Sequence, residues 1–121
     1  MAGLETSRYE NEETGLTYIA NEVIAIIAGI AASEVKGVAG MSGGVVDGIA
    51  ELLKKKNMSK GVKVEVGEKE VAVDLYVIIE YGTKIPDVAY TIQQNVAKAI
   101  ESMTGKKVVE VNVHIQGLSS R

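Results

Sequence analysis

In this 121-residue sequence the features that first suggest chemistry are one histidine, scattered carboxylates, a glycine-rich turn and a run of lysines. His114 alternates with Glu110 and Asn112, which puts all three on one side of an extended strand, with Asp74 or Glu65 as candidates across the sheet. An imidazole beside carboxylates can ligate a metal or act as a general base. Metal sites usually draw on several His or Cys ligands, and a base needs a nucleophile or substrate groove to serve. Neither is visible, so a solvated strand histidine is expected. The chain has no Cys, which excludes a disulfide framework, a thiolate metal site and a thiol nucleophile. Gly40-Met41-Ser42-Gly43-Gly44 precedes a helical pattern, where backbone amides can bind phosphate. It lacks the following Lys-Ser or Lys-Thr and the preceding long strand of a phosphate loop, so a tight turn between closely packed helices is expected. Lys54, Lys55 and Lys56, with Lys60 and Lys63, could meet anionic headgroups or phosphates. Glu51, Glu65 and Glu68 dilute them, and a solvated helix end is the expectation. The pairs Asp47 with Glu51, and Asp74 with Glu80, read as surface acids. No catalytic residue, metal site or cofactor is expected.

The formal net charge is -3, from 13 basic and 16 acidic residues. Phosphate-backbone binding normally needs a basic surface, so the balance argues against nucleic acid. The most apolar run, Val23 to Ala32, is flanked by Glu22 and Glu34. It falls short of the roughly 20 apolar residues of a spanning helix. It also follows an acidic start rather than the basic start of a secretory signal. A cytoplasmic protein is expected, with any membrane contact peripheral or through a partner.

The elements that must position these residues follow from periodicity. Residues 1–14 are polar, carry four Glu and show no period, which predicts a flexible acidic tail. Residues 15–117 form one domain, and 118–121 a C-terminal tail. Leu16 to Ile19 predict a short strand, and Asn21 an N-cap. The first helix is expected over Asn21 to Lys36, with two adjacent apolar stripes and small residues at Ala25, Gly29 and Ser33; Gly37 caps it. Val38 to Gly44 reads as a Gly-rich connection, and Val45 to Lys56 as a second helix. Val62 to Val66 and Val71 to Tyr81 alternate with period two around a turn at Gly67-Glu68-Lys69, predicting a hairpin. Pro86 opens a third helix with a single stripe of Val88, Ile92, Val96, Ala99, Ile100 and Met103, closed by Gly105. Val109 to Ile115 alternate as a last strand. The fold class is therefore α+β: a two-layer sandwich, with a mostly antiparallel or mixed sheet of three to four strands and helices packed on one face.

On the outer sheet face, Tyr76 and Ile78 lie with Ala72 and form an apolar spot. Such a spot marks either a protein contact or a place covered by the chain's own N-terminal segment or a neighbouring helix.

Three stretches carry a resemblance: NEVIAIIAGIAASEVKGVAGMSGG (Asn21 to Gly44), VVDGIAELLKKKNMSKGVKVEVGEKEVAVDLYVIIEYG (Val45 to Gly82) and IPDVAYTIQQNVAKAIESMTGKKVVEVNVHIQG (Ile85 to Gly117). Together they resemble the bacterial alkaline shock protein family of envelope stress response proteins. The resemblance implies a small cytosolic protein that self-associates, reaches the inner face of the membrane through a membrane-anchored partner and supports envelope homeostasis. It brings no catalytic residues. The leading expectation is thus a non-enzymatic interaction module. The rival is an RNA-binding α+β module, which needs basic charge and stacking residues, and of these only Tyr76 is suitably placed. A small enzyme or ligand-binding protein would need an enclosed pocket with convergent polar groups.

Overall fold

The computed structural model describes residues 6–11, 15–42 and 61–120, with side chains from 18 onward. The strongest sequence pattern builds its centre. The β-branched alternation of β5 (Glu70–Glu80) turns Val71, Val73, Leu75, Val77 and Ile79 to one face, where all five are fully buried. Around it lie β1 (Thr6–Asn11), β2 (Gly15–Ala20), α1 (Asn21–Ser33), β3 (Val38–Met41), β4 (Val62–Val66), α2 (Ile85–Thr104) and β6 (Lys107–Ser119). The strand β6 runs parallel to β5 along one edge, reached through α2, since parallel neighbours need a crossover. The strands β4 and β3 run antiparallel to β5 along its other edge, one after the other. The result is α+β with a mixed four-stranded sheet, as the periodicity predicts.

The helices α1 and α2 cover the inner face. In α2, Val88, Ile92, Val96 and Ile100 recur every fourth residue and are all buried. Ile24, Ala25, Ala28, Gly29, Ala31 and Ala32 of α1 are buried too. The alanines permit close approach of the helices, and Asn95 Nδ2 donates across to the Ala31 carbonyl at 2.7 Å. Pro86 lies in the first turn of α2, and Gly105 closes it in the left-handed conformation at φ 78°.

The two antiparallel neighbours of β5 meet at one residue. Ser42 N–H donates to the Tyr76 carbonyl at 2.8 Å, and Tyr76 N–H donates to the Gly61 carbonyl at 2.7 Å. Gly61 has φ +77°, and a Cβ there would lie 2.8 Å from the Ser42 oxygen and 2.9 Å from that of Tyr76. Only glycine lets the chain leave β3 and re-enter β4 at the same point.

Several expectations are corrected. Thr6–Asn11, placed in the tail, form β1 and pair with β2 from Thr6↔Ala20 to Asn11↔Gly15; the ladder satisfies a polar backbone without apolar alternation. The helix begins at Asn21 itself, after Ala20, and ends at Ser33 rather than Lys36. Gly37, expected as its cap, instead turns the chain into β3 at φ +102°, where a Cβ would lie 2.9 Å from Val88 Cγ2. The Gly-rich connection is in part a strand: Val38–Met41 pair with β5, with a bulge between Val38 and Gly40. Met103 is 67% exposed, while Thr104 is buried and donates to the Ile100 carbonyl at 2.6 Å. The stripe of α2 keeps its four-residue step to the end, so position 104 inherits the inward place. Tyr81 lies past the end of β5 and is exposed. The second helix expected over Val45 to Lys56, with Asp47, Glu51, Lys54, Lys55, Lys56 and Lys60, lies outside the described residues.

Lys106 is only 2% exposed. Its Nζ donates to the carbonyls of Gly67 and Glu68, stapling the β4–β5 turn to the start of β6. Burial pushes its pKa below the ordinary lysine value, partly opposed by the Glu68 charge.

Candidate interaction face

The outer face of the sheet is ordered in rows that cross the strands. In the first row Glu65, Ala72 and Glu110 stand abreast on β4, β5 and β6; in the second stand Lys63, Asp74 and Asn112. The third places Tyr76 beside His114, and the fourth places Ile78 between Gly40 and Gly117. The face therefore grades from acidic, through hydrogen-bonded polar, to aromatic and then bare apolar.

The first three rows are joined in one network. Asn112 Nδ2 donates to Asp74 Oδ1 at 3.0 Å and to Glu110 Oε2 at 2.8 Å. His114 Nε2 lies 3.3 Å from Asp74 Oδ1. Its ring stacks on that of Tyr76, with centroids 4.4 Å apart and planes 10° from parallel. Lys63 Nζ lies 5.8 Å from the Tyr76 centroid, within cation–π reach. The Asn112 hydrogen bond, then that of His114, holds the Asp74 carboxyl below its usual pKa. His114 thus meets Asp74, one of the two acids anticipated across the sheet. Its imidazole is held by a carboxylate on one side and an aromatic ring on another. Among the described residues no three His, Asp or Glu side chains gather at metal-binding spacing.

The expected patch divides in two. Tyr76 and Ile78 share the aromatic and apolar end, while Ala72 lies beyond Asp74 between two glutamates. All three are half-buried. Ile78 has no side chain at either flank: a Cβ on Gly117 would lie 3.4 Å from Ile78 Cδ1, and one on Gly40 would meet nothing within 4 Å. Sequence reasoning missed the Tyr76–His114 stack and the two flanking glycines. Alternation gives the face of each residue, but the cross-strand neighbour depends on bulges at Ala39, Val109 and Gln116, which displace the register. A shallow depression lined by Gln94, Ala97, Lys98, Glu101 and Ser102 lies on α2, across the molecule from this face.

The described residues form a two-layer α+β domain with an ordered outer sheet face, and no helix among them is long and apolar enough to cross a membrane. Residues 9–120 match a family model described as having a cell envelope-related function, that of alkaline shock protein 23. The chain belongs to the alkaline shock protein family. It is 42% identical over 110 residues to YqhY of Bacillus subtilis, covering 91% of this chain and 82% of that one. To YloU of the same organism it is 40% identical over 102 residues, covering 83% and 85%. A stress response regulator gls24 homolog of Streptococcus pyogenes is 36% identical over 107 residues, covering 88% of this chain and 59% of that longer one. Among solved structures, MamM-CTD is a distant likeness at a TM-score of 0.49 and 13% identity, covering 80% of this chain and 98% of that one.

Proposed function

We propose that this protein is a non-enzymatic interaction module of the cell envelope. It works on the cytoplasmic side of the membrane through self-association and through a membrane-anchored protein partner, and Tyr76, Ile78 and Ala72 mark its contact face. The observation that carries this reading is Ile78, left bare between Gly40 and Gly117 beside the stacked rings of Tyr76 and His114. A half-exposed isoleucine with glycine on both flanks offers a flat apolar strip that a partner side chain can fill. Membership of an envelope-related family supports the setting.

The test is a pull-down from the native cell with the full chain and with Ile78→Glu and Tyr76→Glu. The wild-type chain brings down a membrane-anchored protein, and both variants lose it while keeping their far-UV circular dichroism. Equal recovery with all three chains sinks the reading. An RNA-binding module is the alternative from another class. One face of the Tyr76 ring is already occupied by His114, and Glu65, Asp74 and Glu110 share the surface. Filter binding of single-stranded RNA at low salt separates the two readings: salt-sensitive retention favours RNA.

A further inference from the structure

The outer edge of β6 is covered unevenly. The strand pairs with β5 along its length, and among the described residues no strand pairs with its other edge. Two side chains of α2 reach part of that edge. Val108 N–H donates to Glu101 Oε2 at 2.9 Å, and Gln93 Nε2 donates to the Val111 carbonyl at 3.0 Å. Backbone groups of successive strand residues point to alternate edges. With Val111 turned outward, Val113 and Ile115 are turned outward as well, beyond the residues Gln93 and Glu101 engage. Extra residues at Val109 and Gln116 bulge the strand on either side, so Glu110 to Ile115 is a regular stretch between two irregular ones. Val111, Val113 and Ile115 are only partly buried against the core.

We propose that this edge pairs antiparallel with the same edge of a second copy, about a two-fold axis at Val113, so that the two sheets become continuous. The proposal rests on the self-association put forward above and names the surface that carries it, leaving the outer face for the partner protein. An isologous contact requires the edge to be complementary to itself. Centred on Val113, it sets Val113 against its equivalent and Val111 against Ile115 at each end, without crossing a bulge. On the inner face every such pair is β-branched and apolar, and an added strand completes their burial. On the outer face Asn112 comes opposite His114 of the second copy, so no like charges meet within the paired stretch. Glu101 engages Val108 outside the paired stretch. Gln93 engages Val111 inside it and must let go, which makes Gln93 a competitor of association.

Sedimentation equilibrium of the full chain over a range of concentrations is the test. Wild-type protein dimerises. Val113→Pro removes a donor turned away from β5 and blocks the ladder, so its dimer is lost while its circular dichroism is kept. Gln93→Ala frees the Val111 carbonyl in both copies and tightens the dimer by about tenfold, a direction that structural damage does not produce. The chain has no native Cys, so Val113→Cys reports directly. Residues opposed in a hydrogen-bonded pair are about 5.5 Å apart at Cα, within disulfide range. Air oxidation then gives a covalent dimer, and a Ser102→Cys control stays largely a thiol. A wild-type chain that is monomeric at millimolar concentration overturns the self-association and the edge together. A dimer unchanged in Val113→Pro and Gln93→Ala but lost in Tyr76→Glu keeps the self-association and overturns the edge. If Val113→Pro does not fold, Gln93→Ala and Val113→Cys decide the matter.

Discussion

At the scale of single residues, Asp74 and Lys106 show how a charge is held by groups far away in sequence. Asp74 is half-exposed and takes hydrogen bonds from Asn112 and His114 on the neighbouring strand, and its pKa is lowered in the fold. The group therefore contributes stability above the unfolded-state value of 3.8, and that contribution is lost as pH falls below it through the folded-state value. Urea midpoints of wild type and Asp74→Asn, measured from pH 6 down to pH 2, should differ at the upper end and converge at the lower. Lys106 staples Gly67 and Glu68. Lys106→Ala leaves those carbonyls without their ammonium donor and should cost about 2 kcal/mol in denaturant unfolding. Neither role is visible from local pattern. The lysine is flanked by Gly105 and Lys107 and reads as surface; its burial is created by a turn 38 or 39 residues earlier in the chain. Alternation leaves Asp74 or Glu65 across the sheet from His114, on two different strands, and the choice depends on which strand neighbours β6 and on the bulges that set its register.

At the scale of elements, strand β5 and helix α2 were legible because their repeats run uninterrupted. Five buried positions in β5 keep a step of two, and five in α2 keep a step of four. The strand β3 was hidden because Gly40 and the bulge beside it break the alternation within four residues, leaving too short a pattern to read. The strand β1 has the opposite difficulty: its pairing with β2 uses backbone groups that any polar sequence supplies. A two-stranded ladder on its own is marginal in water. Amide hydrogen exchange should therefore be fastest in β1 and β2 and slowest in β5, which is paired on both edges and buried on one face. The junction of β3 with β4 makes its own prediction. Gly61→Ala must place a Cβ against two carbonyl oxygens at positive φ, and a loss of at least about 2 kcal/mol in thermal or denaturant unfolding is expected.

At the scale of the whole molecule, a single core joins α1 and α2 to the inner face of the sheet. Composition without Phe, Trp or Cys is enough for this, because a two-layer domain with alanine-lined helices needs small and β-branched side chains more than large ones. If copies associate through native structure, mass action stabilises the fold. The thermal midpoint should rise with protein concentration in wild type and stay flat in Val113→Pro; scanning calorimetry over a hundredfold dilution checks it. The meeting of Ser42 and Gly61 on the Tyr76 backbone has a further consequence, for sequence change over time. The frame closes on itself there through backbone groups alone: the Tyr76 N–H goes to Gly61 and its carbonyl to Ser42. Every residue type except proline supplies those same two groups, so the side chain at position 76 can change, and with it what the outer face offers a partner, without opening the frame that carries it.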